Sequence, residues 1–239
     1  MSVHLVGGGW NPVRDPDVYG PFLSEATTRA EAAGRLAPRI AVIVVGTSDP
    51  AEHAEKLKTA LSAAGLFEAM QTVLDPGQVA DASAVADVDG ILVGGGAPAD
   101  YLQALLPLAE QIRQQVADQI PYLGYSAGAM IAAERAILGG WQIGGVEVCP
   151  RAAGEDIDEV VIEQGIGLID VSVDVHAVQW GTLARLVATT EAGLVDGGLA
   201  IDEGTALVVG EGALHVVGSG SVWRVSQTKG GVLVNTFGA

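Results

Sequence analysis

The run Pro121-Tyr122-Leu123-Gly124-Tyr125-Ser126-Ala127-Gly128-Ala129-Met130 constrains this chain more than any other. It reads as a short buried strand, a sharp turn and the start of a helix, and Gly124-Tyr125-Ser126-Ala127-Gly128 fits Gly-x-Ser-x-Gly. A serine at the tip of a strand-to-helix turn sits in strained backbone, and only small neighbours let strand and helix pass so closely. Its hydroxyl then stands above the sheet edge. The amide of Ala127 lies beside it, placed to donate to an oxyanion. A glycine-rich turn whose serine merely caps a helix is the plainer alternative. The well-formed flanks favour a nucleophile.

Strands and helices alternate on both sides of this turn. Residues 3–6 form an apolar strand running into Gly7-Gly8-Gly9, and 22–33 suit a helix. Residues 39–45 are a continuous β-branched run, as expected of a strand buried on both faces. A helix over 49–64 follows, with Pro50 at its first position, then strands over 67–74 and 90–93 and a helix over 100–116. This rhythm predicts a mostly parallel sheet flanked by helices. After residue 190 come short strands near 199–201, 206–209, 214–217, 222–225 and 232–234, divided by glycine turns. They are expected to form an antiparallel C-terminal extension of one domain spanning 1–239. Residues 139–165 are the least regular, and 151–159 are polar enough to predict a mobile loop.

The composition narrows the function. A 239-residue chain with 49% hydrophobic residues can bury a full core. A net charge of −17 disfavours nucleic acid and anionic membrane surfaces as partners. The opening Met1-Ser2-Val3-His4-Leu5-Val6 lacks the basic and apolar regions of a signal peptide, and no apolar run reaches membrane-spanning length. The single Cys149 rules out an intramolecular disulfide and a cysteine-based zinc cluster. A cytoplasmic location is expected.

Gly94-Gly95-Gly96, at the end of the 90–93 strand, is the second chemical feature. With Ala99 it superficially matches a dinucleotide fingerprint, but it lies in a later βα unit and Pro98 sits inside the turn. A loop at a strand's carboxyl end can instead offer backbone N–H groups from Gly95 or Gly96 toward Ser126, or serve only as a close-packed turn.

A serine nucleophile needs a base, and there are four histidines. His4 falls within the first strand, His53 in the first turn of a surface helix, and His215 among the C-terminal hairpins. His176 ends the strand 171–175 and precedes a helix over 182–189, so it occupies a strand's carboxyl end as the elbow does. Asp174, Asp202 and Glu203 are candidates for the acid that orients it. Spacing alone does not choose among them.

In this order the glycine loop at Gly94, the elbow around Ser126, Asp174-Val175-His176 and Ile201-Asp202-Glu203-Gly204-Thr205-Ala206 resemble the peptidase S51 family, which includes dipeptidase E and cyanophycinase. Val6-Gly7-Gly8-Gly9 also looks like that family's first strand and loop. The resemblance implies a class I glutamine-amidotransferase-like, flavodoxin-like α/β fold. It also implies a triad of Ser126 as nucleophile, His176 as base and Glu203 as orienting acid. It implies no metal and no organic cofactor, and a small peptide as substrate. A homodimer is compatible with it.

One stretch departs from the family. Members acting on acidic substrates follow the histidine with an Arg-Gly-Arg stretch, where this chain has Trp180-Gly181-Thr182; only Arg185-Leu186 remains further on. The polar pair after the family's glycines is replaced by Ala97-Pro98. Because an arginine fork is the natural holder of a substrate carboxylate, specificity for acidic residues is not expected here. Trp180 could instead wall the pocket or simply pack. The expected activity is peptidase chemistry on small peptides; an esterase or amidase and a catalytically silent binding protein are the alternatives.

Overall fold

A computed structural model describes residues 2–46, 48–210, 212 and 214–238. Its centre is a seven-stranded sheet. The strands are β1 (Val3–Val6), β2 (Arg39–Val45), β3 (Glu68–Leu74), β4 (Gly90–Val93), β5 (Tyr122–Tyr125), β12 (Thr205–Val209) and β13 (His215–Gly218), in the order β13-β12-β1-β5-β4-β2-β3. From β1 through β3 every pairing is parallel; β12 and β13 add an antiparallel edge.

The 39–45 run, expected to be a strand buried on both faces, is covered on both, and so are its neighbours β4 and β5. Ile40, Val42, Val44, Leu92 and Leu123 pack with α1 (Asp15–Ala32) and α2 (Pro50–Ser62). The alternate residues Ala41, Ile43, Val45, Ile91 and Val93 pack with α3 (Pro98–Leu105), α4 (Ala109–Ala117) and α5 (Ala127–Ile131). Side chains of successive strand residues point to opposite faces, so a strand buried on both sides must be apolar throughout.

The remaining elements depart further from expectation. The helix expected over 22–33 begins at Asp15, with Pro16 in its first turn and Pro21 tolerated inside it. The helix expected over 100–116 is two helices, broken by a 3₁₀ turn at Leu106–Leu108 where Pro107 withholds its N–H. The C-terminal strands form no single extension. Only β12 and β13 join the central sheet, while β11 (Gly197–Ile201), β14 (Ser221–Thr228) and β15 (Gly231–Gly238) form a second sheet with β10 (Ser172–Val175), in the order β10-β11-β14-β15. Within it β10 and β11 are parallel. The helix α6 (Thr182–Glu191) packs on this sheet.

The stretch 151–159, expected to be a mobile loop, holds a 3₁₀ turn at Arg151–Ala153 and accepts from the amides of Trp141 and Gln142 at Asp158 O, and strands flank it. β6 (Arg135–Gly139) pairs with β9 (Val161–Gln164), and β7 (Gln142–Ile143) with β8 (Val146–Glu147). Arg185 also bonds the carbonyls of Gly140 and Ala153, tying the segment to α6. Among the described residues no helix is long and apolar enough to cross a membrane.

Candidate active site

The carboxyl ends of β1, β4 and β5 converge with those of β10 and β11, and the site is built where they meet. Ser126 follows β5 at φ 51°, ψ −111°, a conformation costly for a residue with a side chain. Two glycines make the turn sterically feasible. A Cβ on Gly124 would lie 2.4 Å from the backbone of Gly128, and one on Gly128 would lie 2.4 Å from the carbonyl oxygen of Val93. Any larger residue at either position would push α5 off the strands. The Ser126 amide is fixed by donating to Val6 O at 2.9 Å.

His176, directly after β10, is also at positive φ (55°), with its amide donating to Gly7 O at 3.0 Å. Its Nε2 lies 2.9 Å from Ser126 Oγ, and its Nδ1 lies 2.6 Å from Glu203 Oε1. The three residues implied by the family resemblance therefore meet in one hydrogen-bonded chain, although they come from the ends of β5, β10 and β11. Two of them sit in strained backbone, a pattern that clusters at functional sites. Burial pushes the His176 imidazole below the usual histidine range, while the Glu203 carboxylate pulls it back up.

The first glycine loop makes room for this chain. A Cβ on Gly8 would fall 2.2 Å from the His176 ring, and one on Gly9 would fall 2.6 Å from Glu203 Cβ. Gly7-Gly8-Gly9 is thus the floor under His176 and Glu203. On the other side, Trp180 lies flat on the imidazole, with ring centroids 3.9 Å apart and planes 6° from parallel. It reaches this position because a turn returns its amide to His176 O at 2.8 Å. Trp180 thus packs on the imidazole, the plainer of the two readings of this residue.

Spacing left three acids open, and geometry separates them. Asp174 pairs with Arg185 at 2.7 and 2.8 Å, both side chains fully buried. Asp202 accepts from the amides of Val178 and Ser221 and from the Trp223 indole. Glu203 alone reaches His176, and its backbone is anchored by its own amide donating to Gln179 Oε1 at 3.0 Å.

The second glycine loop lies against Ser126, since a Cβ on Gly95 would meet its Cβ at 2.9 Å. Its two amides differ. Gly95 N–H donates to His53 Nε2 at 3.2 Å, so it is occupied, whereas the amides of Gly96 and Ala127 have no acceptor among the described residues. His53, set aside in the sequence as a surface-helix residue, belongs to this site. It packs against Trp10 and Tyr125, with centroids 5.7 and 5.9 Å away. No local sequence signal marks it, because the contact joins α2 to a loop more than forty residues on.

A serine on a strand-to-helix turn, with an imidazole on its hydroxyl and a carboxylate behind, is the constellation of hydrolases that activate serine. The sequence agrees at the level of family: the model of peptidase family S51 matches residues 31–217, and the chain belongs to that family. Two solved structures share the fold. One is a peptidase from an acI-B1 Actinobacterium, 18% identical with a TM-score of 0.60, covering 100% of this chain and 96% of that one. The other is a protein assigned as peptidase E from Listeria monocytogenes, 16% identical with a TM-score of 0.55, covering 90% and 97%. No curated protein matches the sequence.

Proposed function

We propose that this chain is a serine peptidase cleaving small peptides through Ser126, His176 and Glu203. The observation that carries the reading is the unbroken chain from Ser126 Oγ through the imidazole to Glu203 in a member of family S51. Ser126 Oγ attacks the peptide carbonyl and its proton passes to His176 Nε2. Glu203 holds the Nδ1 tautomer and stabilises the imidazolium. The amides of Ala127 and Gly96, rather than Gly95, receive the oxyanion. As the intermediate collapses, the C–N bond breaks and His176 returns its proton to the departing amine. Water, deprotonated by the same histidine, then releases the acyl group from Ser126.

The finer class of the fold follows from the same reading. Counted from β2, the parallel strands run 2-1-3-4 with β1 in fifth place, which supports a flavodoxin-like, glutamine-amidotransferase-like sheet. The substrate is a peptide without an acidic side chain before the scissile bond, because Arg185 is consumed by Asp174 and two carbonyls. Labelling with a fluorophosphonate and peptide mapping test the chemistry. Modification at Ser126, abolished in Ser126→Ala, is expected. A chain that stays unlabelled while folded would be a binding protein on the same scaffold.

A further inference from the structure

We propose that His53 is a positioning residue for the oxyanion side of the site, holding the Gly94–Gly96 loop through its bond to the Gly95 amide and doing so only while neutral. The inference rests on the serine-peptidase reading.

A loop of three glycines has no side chains to restrain it and loses more conformational freedom on ordering than any other sequence. Its order has to come from its backbone partners. The peptide joining Gly94 to Gly95 is held at both ends: Gly94 O accepts from Gly128 N–H at 3.0 Å, and Gly95 N–H donates to His53 Nε2 at 3.2 Å. The next peptide is held by Tyr101, whose hydroxyl donates to Gly95 O at 3.0 Å. A trans peptide places the following N–H opposite the carbonyl, so these bonds together set where Gly96 N–H points. Gly96 supplies the loop's open donor, and three helices fix its direction. His53 is the one titratable member of the set that changes charge near neutrality.

The bond also fixes the tautomer. A backbone amide can only donate, so Nε2 must carry the lone pair and the proton must be on Nδ1. Protonation would put an N–H on Nε2 facing the N–H of Gly95, and the bond would be lost. The surroundings oppose that event. Burial and the Lys56 ammonium, one turn along α2, hold the imidazole below its ordinary range. Lys56 is itself paired with Glu52. Tyr125 packs on the ring from β5 and Tyr101 holds the same loop from α3; burial pushes both phenols far above neutrality, so neither carries charge there. Trp10 closes the ring's edge.

The test compares His53→Gln, whose side-chain oxygen can accept from Gly95 but does not titrate, with His53→Leu, which removes the acceptor. The rate of fluorophosphonate labelling of Ser126 in the full chain should fall about tenfold to a hundredfold in the leucine variant and recover to within about threefold in the glutamine variant. In wild type the acid limb of log labelling rate against pH should be steeper than one across the first one to two decades of loss, where both histidines titrate, and return to about one in His53→Gln. Wild-type labelling by His53→Leu, or an unchanged slope in His53→Gln, would overturn the proposal. A packing-only role would give equal losses in both variants, which also overturns it. Failure of wild type to label at all would sink the serine-peptidase reading instead. The bond is then read without chemistry in Ser126→Ala, where the Gly95 amide resonance should track the His53 ring titration.

Discussion

Asp174 within β10 and Glu203 just beyond its parallel neighbour β11 each hold a basic partner, Arg185 from α6 and His176 at the end of β10, and the two pairs are built for different ends. Asp174 grips Arg185 with two hydrogen bonds; both side chains are sealed from solvent, at 0% and 2% exposure. Glu203 touches His176 through one oxygen, and its side chain is 30% exposed. A guanidinium does not give up its proton in the physiological range, so the buried pair can only hold shape. Its remaining donors reach Gly140 and Ala153 and tie the 139–165 segment to α6. An imidazole changes charge near neutrality, so the half-open pair can pass a proton. Burial and exposure separate a sealed acid from a half-open one where sequence distance could not.

Substitutions should separate the two pairs cleanly, and the largest effect is expected at Ser126, the proposed nucleophile bonded to the half-open pair. Ser126→Ala is expected to lower turnover by about four to six orders of magnitude, with thermal stability unchanged because alanine fits a turn of small residues. Activity comparable to wild type would remove Ser126 from the chemistry.

Glu203→Gln comes next, with kcat down by about a thousandfold to ten-thousandfold, since the imidazole loses both its tautomer lock and the charge that stabilises its cation. The pH profile sharpens this. His176 must be neutral to accept a proton, so activity rises with pH through its pKa, which burial places below the ordinary histidine value near 6.5. Removing Glu203 deletes the leading upward influence on that pKa, so the acid limb of the residual activity should move to still lower pH. A limb moving upward would contradict the assignment of the acid.

Asp174→Asn should do the reverse. Leaving the Arg185 charge buried without its partner costs about 3–5 kcal/mol, seen as a lower denaturation midpoint, while the molecules that stay folded keep turnover and their acid limb moves only to lower pH, because Asp174 also raises the His176 imidazole. If the variant were as stable as wild type, the pair would not be what secures the 139–165 segment.

Much of this was legible from residues alone, and the gaps have a common cause. The elbow could be read because its constraint is local: Gly124 and Gly128 are small where strand and helix touch. The buried strands could be read because both faces demand apolar residues. Contacts between distant segments left no such trace. His53 looked like a surface-helix residue because nothing near it in sequence says that the Gly95 loop lies on it. The short C-terminal strands show that they are strands but not which sheet each joins, so their division between two sheets was hidden. Pro16 and Pro21 obscured the start of α1, one as a tolerated first-turn residue and the other as an apparent breaker. Trp180 carried a readable clue in its place four residues after His176, where one turn brings a side chain back over its predecessor.

The smallest effect expected is in specificity, and it depends on the same comparison. In the buried pair Arg185 is fully engaged, so it cannot take the place of the arginines that Trp180 and Thr182 replace. A substrate carboxylate entering the site gives up hydration for no guanidinium in return. Each charge-assisted hydrogen bond forgone is worth about 1.5–3 kcal/mol, so one such loss amounts to about tenfold to a hundredfold in kcat/KM. The exposed indole of Trp10 beside Tyr125, and the part of Trp180 that its stack on His176 leaves exposed, offer apolar and cation-accepting surface instead. Ala-Leu and Arg-Leu dipeptides should therefore be cleaved with higher kcat/KM than Asp-Leu. A clear preference for Asp-Leu would mean that another cation holds the carboxylate, with Lys56, one turn beyond His53 on α2, the first to test by substitution with methionine.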